Sequence, residues 1–229
     1  MQRIALDHDR LLSAIQQLVS MGDMRVSMQN YERYSPASQE GPYRVRDYMQ
    51  LTDGEERCEL LLGTFYMSPA PTVAHQLVVA AITQQLSELA KQSGGFAISS
   101  PVDVVLSDRT VVQPDVVYVS HERMAVVTRQ RIDGAPDLIV EVLSPGTSRR
   151  DRIGKLALYR AASVPEYWLV DPEAQTFEFL DLRDEQPVVR LAQDDIYHSA
   201  HLTDLRLDLA TFWSEIDETL ARIPRDPSQ

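Results

Sequence analysis

The sequence predicts an α/β domain, and three observations carry that expectation. Residues 73–92 place Val78, Ile82, Leu86 and Leu89 on one face of a long helix. Residues 137–143 are a nearly continuous apolar run, as a strand buried on both faces requires. An amphipathic segment at 149–162 separates that run from another at 166–170, the order of a strand, a crossover helix and a strand.

The elements follow in order. Residues 1–42 read as an extension. Leu11, Leu12, Ile15, Leu18 and Val19 give 7–21 helical spacing, and Gly22, Pro36, Gly41 and Pro42 make 22–42 a linker. The main domain spans 43–223 and opens with a short helix at 43–51. Glu59 to Gly63 then leads into Thr64 to Met67 as a hairpin. Thr72 caps the long helix and Gly94-Gly95 ends it. Strands are expected at 96–106, 115–119 and 137–143. The chain turns at 144–147, and Ser148 caps the helix at 149–162, with Asp151 at its third helical position. The strand at 166–170 stops at Asp171-Pro172. Strands near 175–182 and 187–193 form a C-terminal β meander. A helix at 211–222 closes the domain, and 224–229 is a tail.

Composition bounds the function. The 229 residues carry a formal charge of −12, which opposes tight non-specific binding to nucleic acid. A local basic stretch remains: Arg149, Arg150, Arg152, Lys155 and Arg160 against Asp151 alone. No apolar run approaches the ~20 residues of a membrane span. The charged N-terminus lacks the apolar core of a signal peptide. The single cysteine, Cys58, excludes an internal disulfide framework, and a cytoplasmic setting is expected. Of 22 basic residues only Lys91 and Lys155 are lysines.

Two carboxylates carry the chemistry. Glu141 is one charge inside an apolar strand, which is costly without compensation. Asp115 opens the run 116–119. If the two strands are antiparallel, Asp115 and Glu141 meet. If they are parallel, roughly 15 Å separates them. Where they meet, their repulsion is best relieved by a hard cation with oxygen ligands, Mg²⁺ or Mn²⁺. Lys155 lies seven residues beyond Ser148, ~10 Å along the helix, which matches the depth of Glu141 below its turn. Asp151, Lys155 and Tyr159 are spaced four apart and share a face.

These residues resemble a known group. Pro114-Asp115, then Glu141 in a buried strand, then a lysine, is similar to the PD-(D/E)XK superfamily of restriction-endonuclease-like enzymes. The wider set resembles the bacterial Uma-type restriction endonuclease family over roughly 43–212. That set is Glu59 to Gly63, Tyr66 to Pro69, His75, Pro114-Asp115, Glu141 to Pro145, Asp151 with Lys155 and Tyr159, and Glu166 to Pro172. The resemblance implies a mixed sheet flanked by helices, metal ligands at Asp115 and Glu141, a supporting acid at Glu59 and a catalytic lysine at Lys155. The superfamily's lysine two positions after the glutamate is Leu143 here, and Lys155 on the next helix fits the role instead. The Asp usual before the first glycine is Leu62.

Plainer roles stand beside these. Asp151 suits a helix cap paired with Lys155. Tyr159 suits packing. Glu59 is a third ligand or a solvated charge. His75 near a helix start is either a neutral hydrogen-bonding group, a substrate contact or a packing residue. Arg149, Arg150 and Arg152 make a solvated face, or line a phosphate backbone. The expected function is a divalent-metal-dependent endonuclease acting on DNA. The alternative is a catalytically inactive domain of the same fold that binds nucleic acid or a protein partner. A homodimer would supply the two sites that duplex cleavage needs.

Overall fold

The computed structural model describes residues 41–51, 58–67, 70–144 and 150–224. The expected helix at 7–21, most of the 22–42 linker, the caps and turns at 145–149, Arg149 and the tail beyond 224 lie outside these residues.

The chain opens with α1 (Val45–Leu51) and a hairpin of β1 (Cys58–Leu61) and β2 (Thr64–Met67). Leu62 and Gly63 form its two-residue turn with φ of 51° and 79°, the left-handed pair that matches strand twist. Gly63 is needed there, since a Cβ would sit 2.4 Å from the Gly41 carbonyl oxygen. Helix α2 (Val73–Ser93) starts where Thr72 accepts from the His75 amide at 3.2 Å and stops at left-handed Gly94. Then come β3 (Phe96–Ser99), β4 (Val104–Ser107), β5 (Thr110–Val112), β6 (Val116–Val119), a 3₁₀ helix (His121–Val126), β7 (Ile132–Asp133) and β8 (Leu138–Val142). A π-helical turn (Arg150–Lys155) runs into α3 (Leu156–Ala161). The strands β9 (Glu166–Asp171), β10 (Thr176–Asp181), β11 (Val188–Arg190), β12 (Ile196–His198) and β13 (Arg206–Asp208) precede α4 (Leu209–Leu220).

The central sheet has six strands in the order β11-β10-β9-β8-β6-β3. It is mixed: β8 pairs parallel with β9, and every other neighbour is antiparallel. The C-terminal meander is β9-β10-β11. A five-stranded sheet, β2-β1-β5-β4-β7, and the β12-β13 pair complete the fold. The expected strand at 96–106 is therefore two strands in different sheets. Pro101 cannot donate to a ladder, and the chain leaves the central sheet there. The expected α-helix at 149–162 begins as a wider π turn, a form that concentrates at functional sites.

Side-chain alternation gives the central sheet two apolar faces. Val116, Tyr118, Leu138, Val140, Val142, Trp168 and Val170 pack with α2 and α4. Val117, Val119, Ile139, Leu143, Tyr167 and Leu169 pack with Leu158 and Tyr159 of α3 and with Val104, Val112 and Ile132 of the second sheet. Burial on both faces explains why the strands read as unbroken apolar runs rather than alternating ones. Among the described residues no helix is long and apolar enough to cross a membrane.

Buried polar groups tie the β12 region to the sheet. Glu166 Oε1 accepts from Trp168 Nε1 at 2.7 Å and from Tyr197 OH at 2.8 Å, and the Ser199 hydroxyl meets Oε2. Asp137 accepts from the Ser120 amide at 2.7 Å and meets His201 Nε2 at 2.9 Å. On β10, Asp181 accepts from Arg183 Nη2 at 2.8 Å and Arg190 Nη2 at 2.6 Å. Burial alone would raise the Asp181 carboxyl, but these guanidinium groups hold it well below the usual carboxylate range. A depressed folded-state pKa gives stability that is present above the unfolded value, roughly 3.9, and is lost as pH falls through the folded value. Asp181→Asn is thus expected to cost about 1–3 kcal/mol at pH 7. The deficit should shrink from roughly pH 4 downward. Urea unfolding at pH 7 and at successively lower pH checks this; a deficit independent of pH would refute it.

Candidate active site

The antiparallel pairing of β6 with β8 aligns Val116 with Val140 and Val117 with Ile139. One step further along that register, Asp115 lies opposite Glu141. Glu141 points to the face that carries Ile139, by the two-residue period, and Asp115, just before β6, turns its carboxylate to the Val142 amide and to His75. The two carboxylates that the sequence could join only conditionally are thus brought to one end of the central sheet.

The parallel pairing of β8 with β9 requires a crossover, and the π turn and α3 provide it. They lie on the same face and lower Lys155 into the carboxylates. Its Nζ stands 2.8 Å from Glu141 Oε1, 2.9 Å from Glu59 Oε1 and 3.6 Å from Asp151 Oδ1. Glu59 comes from β1 of the second sheet, so the site bridges both sheets. The Gln113 amide donates to Glu59 Oε1 at 2.9 Å and fixes it. Tyr159 OH donates to Glu141 Oε1 at 2.6 Å. The Val142 amide donates to Asp115 Oδ2 at 2.8 Å.

Glu59, Asp115, Glu141, Asp151 and Lys155 are each at most 8% exposed. Water cannot screen so deep a group, and the ammonium lies among three carboxylates. Burial pushes the Glu141 carboxyl well above its ordinary value; Lys155 opposes that, and Asp151, Asp115 and Glu59 add to it. Burial would lower the Lys155 ammonium, yet Glu141, Glu59 and Asp151 together hold it above its ordinary value. Lys155 therefore stays charged at neutral pH.

His75 sits in the first turn of α2. Its Nε2 is 3.0 Å from the Val142 carbonyl oxygen and 3.3 Å from Asp115 Oδ2. A carbonyl only accepts, so Nε2 carries a proton and donates inward. The structure places His75 as a brace for Asp115 and β8. Arg152 pairs with Glu178 and comes within 4.0 Å of Asp171. Arg150 lies over the Tyr66 ring at 5.7 Å. Part of the basic face expected from the sequence is thus spent on internal acids. Gln113 is invisible in the sequence because it acts through its backbone amide, which every non-proline residue shares. Tyr159 shares a four-residue spacing with Asp151 and Lys155, the one sequence signal that points its side chain at the cluster.

The donor set fits a hard divalent cation. It is all oxygen, it carries excess negative charge, and Glu59 Oε2 is buried with no hydrogen-bond partner among the described residues. No three His, Cys, Asp or Glu side chains among the described residues stand ready as a cage. Lys155 lies between Glu59 and Glu141 and already bonds both.

A family model, Uma2, described as "Putative restriction endonuclease", matches residues 45–210. A solved structure, the crystal structure of "a putative nuclease belonging to DUF820" from Anabaena variabilis ATCC 29413, is similar with a TM-score of 0.64 and 19% identity. The match covers 76% of this chain and 99% of that one. At that identity the likeness establishes the fold, which is restriction-endonuclease-like. No curated protein matches.

Proposed function

The chain belongs to the Uma2 family, and we propose that it is a divalent-metal-dependent endonuclease that hydrolyses phosphodiester bonds in DNA. One observation carries this reading: three buried carboxylates, from β1, β8 and the π turn, gather around a buried ammonium, and a fourth, Asp115, lies in register opposite Glu141. A fold built for stability alone would gain by filling such a place with apolar side chains.

Asp115, Glu141 and Glu59 would hold Mg²⁺ or Mn²⁺. When bound, that ion supplies Lewis acidity and lowers the pKa of a water molecule. The rest falls to the chain itself. His75 and the Val142 amide keep Asp115 in place. Lys155 offers a compact positive charge to the phosphate in the transition state. Buried walls exclude bulk water, so each charge acts at greater strength. Arg150 would meet the phosphate backbone; Arg149 lies outside the described residues. Arg152, held by Glu178, would contribute less.

A second reading has its own support. The acidic balance and the close Lys155–Glu141 pair suit an inactive domain of this fold that binds a partner. One experiment separates the two. Wild type and Asp115→Asn are melted in EDTA and in saturating Mn²⁺, and both are incubated with supercoiled DNA. A hundredfold excess over Kd stabilises the wild type by ~2.7 kcal/mol. Wild type is expected to show that rise and to nick the DNA in Mn²⁺ alone, and Asp115→Asn to do neither. Identical melts for both proteins in both conditions would sink the metal reading. Stabilisation without nicking would favour the inactive domain.

A further inference from the structure

Resting on the metal-site reading above, we propose that Tyr159 is a positioning residue for Glu141: its hydroxyl and the Lys155 ammonium together hold Oε1, which reserves the second carboxylate oxygen for a cation. The geometry is specific. Tyr159 OH lies 2.6 Å and Lys155 Nζ 2.8 Å from the same oxygen. The Tyr159 contact is in the short range of hydroxyl–carboxylate bonds, about 2.5–2.7 Å, where the bond is strongest. With both donors on one oxygen, the carboxyl plane is set and its rotation is blocked.

The tyrosine is itself held. It is fully buried on α3. Its ring meets the Tyr167 ring edge-on at 4.8 Å. Tyr167 OH in turn donates to the Asp151 carbonyl oxygen at 3.0 Å. Strand β9 thereby fixes both α3 and the π turn that carries Lys155. The hydroxyl is the donor in this contact, because a carboxylate oxygen only accepts. Packing alone accounts for the ring and not for the hydroxyl, which a phenylalanine would omit at no cost in shape.

The role predicts an effect on metal affinity that a packing residue would not produce. Groups that orient a ligating carboxylate typically change metal affinity by about 10–100-fold when removed. The test is calorimetric titration of wild type, Tyr159→Phe and Tyr118→Phe with Mn²⁺ alone, beside melts of each in EDTA. Tyr118→Phe is the control for losing a buried hydroxyl, since its partner is Ser93 at 2.8 Å and not a carboxylate. The expected result is cooperative EDTA melts for all three, a Mn²⁺ Kd raised about tenfold or more in Tyr159→Phe, and an unchanged Kd in Tyr118→Phe. Equal Kd values for wild type and Tyr159→Phe would overturn the positioning role and leave the metal site intact. Loss of a cooperative EDTA melt in Tyr159→Phe alone would also overturn it, because the hydroxyl would then be holding the fold. A wild type that binds no Mn²⁺ would remove the metal site itself, and this role with it.

Discussion

Replacing Lys155 with methionine is expected to lower stability by about 3–5 kcal/mol at pH 7, the usual cost of removing one partner from a buried ionic cluster. Methionine matches the lysine stem in size and leaves no large void. What it removes is the ammonium that reaches Glu59, Glu141 and Asp151 at 2.9, 2.8 and 3.6 Å. Those carboxylates would then have to be buried without that charge or take up protons. The sign of the pH dependence follows. Lys155 has a folded-state pKa raised above its unfolded value. Its contribution is complete below the unfolded value, ~10.4, and fades only as pH rises through the folded one. The deficit of Lys155→Met is therefore expected across the neutral range and should narrow in acid as the carboxylates accept protons. Domains of this kind retain roughly 5–15 kcal/mol, so the variant should fold with a clearly lowered urea midpoint. A variant as stable as wild type at pH 7 would mean that the cluster is not charged as drawn.

How much of this site the sequence disclosed depends on the range of each interaction. A charge inside an apolar run marks Glu141 without further help, because burying it demands compensation. The convergence of Asp115 with Glu141 needed one further fact, the direction of the β6–β8 pairing, and the sequence left it open. The sequence estimate of the height of Lys155 assumed α-helical rise, whereas the chain reaches Glu141 through a π turn. Other features were hidden for physical reasons. The second sheet contains β5 and β7, of three and two residues, too short to show any period. The run 96–106 looked like one strand because side-chain pattern continues through Pro101 while the ladder does not. Glu166 carries a buried hydrogen-bond set whose partners Tyr197 and Ser199 lie 31 and 33 residues further on. No local window contains such a pairing. The hydroxyl of Tyr159 falls between these cases: its direction was legible from helical spacing, and its partner only from the fold.

The second large effect concerns rate. Lys155→Arg keeps the charge and is expected to fold, as judged by circular dichroism and by a cooperative melt, and to keep nucleic-acid affinity, yet to lose most of its turnover. Arginine is planar, broader and always protonated, whereas the ammonium is a compact point charge with three rotatable donors. Lys155 occupies a place that is 3% exposed, where a single Nζ reaches carboxylates from β1, β8 and the π turn at once. A guanidinium there has to choose its partners by its fixed fork, and its charge centre shifts from the position that faces Glu141. Removing or displacing one such charge stabiliser typically costs ~10²–10³ in rate. The rest of the chain already uses arginine for nearly every positive charge, with 20 of its 22 basic residues, so a lysine retained at this depth is consistent with a demand that arginine fails to meet. The competing account makes Lys155 a counter-charge and nothing more. It predicts that Lys155→Arg costs some stability through packing but leaves the chemical step alone. Single-turnover cleavage in Mn²⁺ decides between them, because it reads the chemical step apart from binding and release. Equal rates for wild type and Lys155→Arg would assign Lys155 to charge balance and leave catalysis to the carboxylates; a loss on the order of a hundredfold, with an intact fold and unchanged affinity, would place the ammonium at the reacting phosphate.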